Sequence, residues 1–145
     1  MKFLVLSGPN INMLGVREPG IYGSDSYDDL VRACEEKGKE LGVETEIYQS
    51  NHEGDLIDKI QEAYGNVDGI IFNPGGYTHT SIALRDAISA VKIDTVEVHI
   101  SDVSAREDFR QISYIRDVCV KTISGRGIPG YTEAMDFLFK MKISE

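Results

Sequence analysis

Glu97 and His99 stand two residues apart within the apolar run Thr95–Ile100. Side chains alternate between the faces of an extended strand, so this carboxylate and imidazole project together while Val96, Val98 and Ile100 point the other way. Such a pair fixes the ring tautomer and favours the protonated imidazole, which is what donating a proton to a leaving group requires. A glutamate in a central strand needs a partner in any case, so the same spacing also describes a structural ion pair. Two further segments are dense in chemically able side chains. Gly8-Pro-Asn-Ile-Asn-Met-Leu-Gly15 runs on into Arg17-Glu-Pro-Gly-Ile-Tyr-Gly23, and Asn73-Pro-Gly-Gly-Tyr-Thr-His-Thr-Ser81 follows another apolar run. A free phenol titrates near ~10, which makes Tyr22 a poor base unless a cation such as Arg17 stabilises its phenolate; an exposed loop tyrosine is the alternative. His79 lies among Thr78, Thr80 and Ser81, residues that equally suit a helix entry. The stretch from Met13 to Asp25 is longer than most strand-to-helix connections. It is either a lid that carries Arg17 and Tyr22 over a pocket or a solvated loop. His52 is assigned to the surface.

Five apolar runs must position these groups: Phe3–Leu6, Val43–Tyr48, Gly69–Phe72, Thr95–Ile100 and Val118–Ile123. Each is followed by loop residues and then helical spacing, which predicts five strand-helix units. Leu30, Ala33, Cys34 and Leu41 mark one helix face, Ile57, Ile60 and Tyr64 a second, and Leu84, Ala87, Ile88 and Val91 a third. Ala134, Phe137, Leu138 and Met141 mark the last. Ser26-Tyr-Asp-Asp29 reads as a capping box that starts the first helix. At 145 residues the expectation is one catalytic domain, residues 1–145, with an α/β fold. The natural form is a flavodoxin-like three-layer sandwich around a five-stranded parallel sheet of order 2-1-3-4-5. Ligands then bind beyond the carboxyl ends of the strands, between the first and third, where the two rich loops fall.

A net charge of −9 argues against a nucleic-acid partner, since phosphate neutralisation needs clustered Lys and Arg. No run approaches membrane-spanning length, and the first apolar run stops at Ser7-Gly8-Pro9, too short for a signal-peptide core; a cytoplasmic location is expected. Cys34 and Cys119 lack metal or redox spacing and read as core fillers. Gly125-Arg-Gly-Ile-Pro-Gly130 matches a dinucleotide fingerprint. It falls in the last unit, with no following strand and no acidic residue to hold a ribose, so it reads as a tight turn. Asn73 stands where a phosphoacceptor receiver would carry aspartate, and the first loop has no Ser/Thr run to cradle a flavin phosphate.

Together these blocks resemble the type II 3-dehydroquinate dehydratases, and the resemblance continues through Ala105-Arg-Glu-Asp-Phe-Arg110 to Gly127-Ile-Pro-Gly-Tyr131. It implies conversion of 3-dehydroquinate to 3-dehydroshikimate and water by anti elimination through an enolate, with no metal or organic cofactor. By the same resemblance Tyr22 is the base, Arg17 lowers its pKa, Asn10 helps hold a water against the enolate oxygen, and His99, supported by Glu97, protonates the departing hydroxyl. Asn73, His79 and Arg110 would contact ring hydroxyls, the backbone of Ile100 and Ser101 would receive the substrate carboxylate, and Asp86 would reach a neighbouring subunit's site. That last role implies a homo-oligomer, in this family commonly a dodecamer built from trimers. All eight lysines lie outside the three loops, which disfavours a Schiff-base route. The chain departs from the family pattern at Gly76 (usually alanine), Asp102 (usually asparagine), and Ser104 and Gln111 (often histidines). Asp102 is expected to bring negative charge near the carboxylate pocket, and Gly76 to loosen its loop. A non-catalytic binding domain on this scaffold is the rival reading, though it has no need of a tyrosine, an arginine, two histidines and a paired glutamate in one crevice. A related lyase or isomerase acting on another hydroxylated ring acid would use the same groups.

Overall fold

The computed structural model describes residues 1–16 and 25–145. β1 (Lys2–Ser7), β2 (Glu44–Gln49), β3 (Gly69–Asn73), β4 (Thr95–His99) and β5 (Lys121–Ser124) form one parallel sheet in the order 2-1-3-4-5, as the alternation of strands and helices predicted. Every residue of β3 and β4 is buried, because helices cover both faces of the sheet and its central strands meet no water. α1 (Tyr27–Leu41) and α4 (Pro129–Ile143) pack on one face around Phe3, Val5, Ile71, Val96 and Val98. α2 (Glu53–Ala63) and α3 (Ile82–Val91) pack on the other around Leu4, Leu6, Ile70 and Phe72. Neighbouring residues of each strand thus feed opposite cores, as a two-residue period demands. The result is the flavodoxin-like three-layer sandwich.

α1 begins where expected: Ser26 Oγ accepts from the Asp29 amide and the Asp29 carboxylate accepts from the Ser26 amide. The helix stops at Gly42, whose φ of 71° closes the last turn in a conformation glycine adopts without penalty. Cys34 lies in the first core and Cys119 packs partly buried against the second. His52 is exposed, just before α2.

Three expectations are corrected. The inward face of α2 is Leu56, Ile60 and Ala63, and Tyr64, past the helix end, is 68% exposed. Positions 56, 60 and 63 fit a helical period as well as 57, 60 and 64, and packing chooses between them. The strand expected at Val118–Ile123 starts only at Lys121, since Arg116–Val118 form a single 3-10 turn. Finally, no α-helix follows β4, which ends at His99; its crossover is three such turns, Val103–Ala105, Asp108–Arg110 and Arg116–Val118. Ser101 to Asp117 contains charges in place of an apolar stripe, and only Ile115 there is fully buried, so nothing drives a helix onto the sheet. That irregular crossover arches over the carboxyl end of the sheet. Among the described residues no helix is long and apolar enough to cross a membrane.

Candidate active site

The loops after β1 and β3 are pressed together at the point where strand order reverses. The Gly8 amide donates to the Asn73 carbonyl at 2.8 Å, and a Cβ on Gly8 would lie 2.3 Å from the Pro74 carbonyl oxygen, so no other residue fits there. Gly75, at φ +63°, approaches Pro9 from the other side, where a Cβ would lie 2.8 Å from the Pro9 carbonyl oxygen. Asn10 adopts a left-handed conformation, φ 72°, which asparagine tolerates better than most residues, and its amide donates to Asn51 Oδ1 at 3.0 Å. Asn73 Oδ1 accepts from the Gly75 amide at 3.1 Å. These contacts hold Asn10 and Asn73 on the wall of a cavity above β1, β3 and β4.

His79, His99, Ile100, Ser101 and Arg110 line the same cavity, so seven of the residues singled out in the sequence converge. Glu97 stands behind His99 and not in the wall. It is wholly buried, and His99 Nε2 donates to its Oε2 at 2.5 Å. Burial alone would raise the Glu97 carboxyl. The hydrogen bond and charge of His99, helped by Ser113 and Arg116, outweigh it and bring the group down to about 2, so a carboxylate orients the ring. With Nε2 committed to Glu97, Nδ1 is the ring nitrogen left to meet a ligand. His79 is fixed differently: its Nδ1 donates to the Ile112 carbonyl at 2.7 Å, and burial holds its pKa below the ordinary 6.5. Its neutral ring therefore presents Nε2 as an acceptor suited to a hydroxyl.

The segment after β4 is braced from behind. Amides of Gly125 and Gly127 donate to the carbonyls of His99, Ser101 and Ile100 at 3.0 to 3.2 Å. The turn expected at Gly125-Arg-Gly-Ile-Pro-Gly130 is therefore a support for the site, with both glycines at positive φ. Beneath the cavity Tyr131 is fully buried with its hydroxyl 2.9 Å from Ser7 Oγ, and burial pushes its phenol well above the ordinary range.

Asp86 does not join the cavity: it lies exposed on α3. Asp102 does not line it either. Its Oδ1 accepts from the amide and hydroxyl of Ser104, at 3.1 and 2.6 Å, and it borders a neighbouring groove, so the expected charge beside the substrate carboxylate is turned away. Gly76 does line the cavity, and a Cβ there would meet nothing within 4 Å. Gln111 Nε2 donates to the carbonyls of Val103, Arg106 and Glu107, tying the crossover together. Arg17, Tyr22 and most of the expected lid lie outside the described residues.

Arg106 was not singled out in the sequence. It lines the cavity, its Nη1 donates to Ser101 Oγ at 3.2 Å, and its side chain is only 11% exposed. Its signal was the pair Arg106 and Arg110 one helical turn apart around Glu107, whose carboxylate both arginines contact. Two guanidiniums at one cavity in a chain of net charge −9 prepare it for an anion.

The family model for class II dehydroquinase matches residues 1–139. The 3-dehydroquinate dehydratase of Caldicellulosiruptor bescii is 56% identical over 135 residues, covering 92% of this chain and 93% of that protein. The crystal structure of the type II dehydroquinase from Butyrivibrio crossotus superposes with a TM-score of 0.94 at 54% identity, over 95% of this chain and 97% of the other. That from Propionibacterium acnes gives 0.92 at 38% identity, over 96% of both chains. Matched along nearly its whole length in sequence and in fold, the chain belongs to the class II dehydroquinases, a family of hydro-lyases.

Proposed function

We propose that this chain dehydrates 3-dehydroquinate to 3-dehydroshikimate in the cytoplasm, by anti elimination through an enolate and without a cofactor. The observation that carries the reading is the buried Glu97 fixing His99 at the wall of a cavity that also holds Asn10, Asn73, His79 and two arginines. Tyr22, as a phenolate favoured by Arg17, takes the proton from the carbon between the ketone and the carbon bearing the departing hydroxyl. The electron pair moves onto the ketone oxygen, where a water held by Asn10 stabilises the enolate. Collapse of the enolate forms the ring double bond and expels the hydroxyl, which leaves as water with the proton from His99. Asn73, His79 and Arg110 orient the ring, and the backbone at Ile100 and Ser101 meets the carboxylate beside Arg106. Tyr27 and Tyr131 have phenols raised by burial, the wrong direction for a phenolate base, which argues against either in that role.

The same reading makes the protein a homo-oligomer, a dodecamer built from trimers, with Asp86 serving a neighbouring site. It is supported by exposed Asp86 on α3 and by Ile82, Phe109 and Ile112, apolar side chains 57 to 66% exposed on α3 and the crossover. The test is ultraviolet absorbance after adding 3-dehydroquinate to chelator-treated protein, because the conjugated enone of the product absorbs where the substrate does not. A rise insensitive to borohydride and lost in Tyr22→Phe is expected. Substrate binding without any rise refutes the dehydratase reading. A monomer in sedimentation refutes the assembly.

A further inference from the structure

Glu97 accepts more hydrogen bonds than a histidine partner requires. Oε2 receives His99 Nε2 at 2.5 Å, Ser113 Oγ at 2.9 Å and Arg116 Nη2 at 3.3 Å, while Oε1 receives Arg116 Nε at 3.3 Å and Thr122 Oγ1 at 3.2 Å. Arg116 thus grips both oxygens in a fork. It does not line the catalytic cavity. It sits in the turn before β5, its side chain 48% exposed and bordering the neighbouring groove, from which it reaches the buried carboxylate.

We propose that Arg116 is a positioning residue for the acid: a second cation on Glu97 that competes with His99 for the carboxylate and makes the imidazolium readier to release its proton. This rests on the reading of His99 as the acid. The argument is a count of charge in a buried cluster. A guanidinium is always protonated, so Glu97 and Arg116 are already neutral together, and protonating His99 leaves the cluster with a net positive charge. Without Arg116 the imidazolium becomes the only cation on a buried carboxylate, and its proton is held more tightly. Arg116 therefore strengthens the acid and, in the same step, brings down the pH at which it is exhausted.

The other titratable and charged groups around the pair are His79, within electrostatic reach of His99 and Arg110, then Arg106 in the same cavity wall, and Cys119 beside Glu97, its thiol pushed up to about 12 by burial. All remain in place when Arg116 is replaced.

The test compares the pH dependence of kcat in the wild type, Arg116→Gln, Arg116→Met, Arg116→Lys and Thr122→Val. Glutamine keeps a donor for Glu97 while losing the charge, which preserves a measurable variant should methionine fail to fold. The basic limb of kcat is expected to move up by about one pH unit in the Gln and Met variants, screening by solvent keeping the shift at the low end. Lysine should restore the wild-type limb, and Thr122→Val, which removes a hydrogen bond to the same carboxylate but no charge, should leave it in place. KM should change by less than about twofold, as expected for a group that does not touch substrate. Ring titration of the three histidines by NMR reads the same competition without turnover. A His99 titration and a basic limb that both stay fixed in Arg116→Gln overturn the role of Arg116. A titration that moves while the limb does not overturns His99 as the acid, and the inference with it.

Discussion

Replacing Glu97 with glutamine tests the electrostatics at the centre of the molecule through stability, independently of catalysis. The carboxyl is wholly buried and held at about 2 against an ordinary 4.5. At about 1.4 kcal/mol per pH unit, that difference amounts to roughly 3 kcal/mol of pH-dependent stability. Its sign is that of a depressed acid. The contribution is fully present above pH 4.5 and is lost as pH falls toward 2, because the unfolded chain takes up the proton first. Asp29, Glu46, Glu107 and Asp117 are also held below their ordinary values by hydrogen bonds, so the wild-type acid slope is a sum. The difference between wild type and variant isolates Glu97. Urea unfolding followed by circular dichroism at half-unit steps from pH 7 to 2.5 should show Glu97→Gln less stable at pH 7. The cause is that His99 and Arg116 lose their counter-charge. The gap should narrow by roughly 3 kcal/mol toward the acid end. A variant whose stability falls in parallel with the wild type would refute the reasoning.

Other substitutions probe the frame of the site. Gly8→Ala forces a methyl against the Pro74 carbonyl, and neither backbone can yield without opening the two loops; a loss of about 3 kcal/mol or more in urea unfolding and a large fall in kcat/KM are expected. Gly76→Ala meets nothing, and its backbone lies outside the left-handed region. It should stabilise by about 0.4 to 1 kcal/mol in thermal unfolding, and a loss of stability would refute that expectation. Ser26→Ala removes the side-chain acceptor at the start of α1 and should cost about 1 kcal/mol in chemical denaturation.

The strands were readable because each core strand is an apolar run bounded by polar or turn-forming residues, and the start of α1 because Ser26 and Asp29 form a self-contained local pair. The Glu97–His99 pair was readable for the same reason: two residues on one strand must share a face. What escaped depends on tertiary contact. Ser113, Arg116 and Thr122 reach Glu97 from 16 to 25 positions away, across an irregular crossover without any period to follow. The inward face of α2 was ambiguous because two registers satisfied the helical period equally well. Arg106 was hidden among surface-like charges: its pairing with Arg110 around Glu107 reads like a solvated ion pair until the fold buries it against Ser101.

The support that the loop after β5 gives to residues 99–101, with the bond between Tyr131 and Ser7 across 124 positions, bears on how the protein is made. As the chain emerges from a ribosome, β1 to β4 can pair in sequence, yet the groove above them stays unfinished until α4 arrives and closes onto the first strand. A nascent or prematurely terminated chain therefore cannot hold a half-working site. Synthesis of β5 and α4 is the step at which the groove acquires its shape.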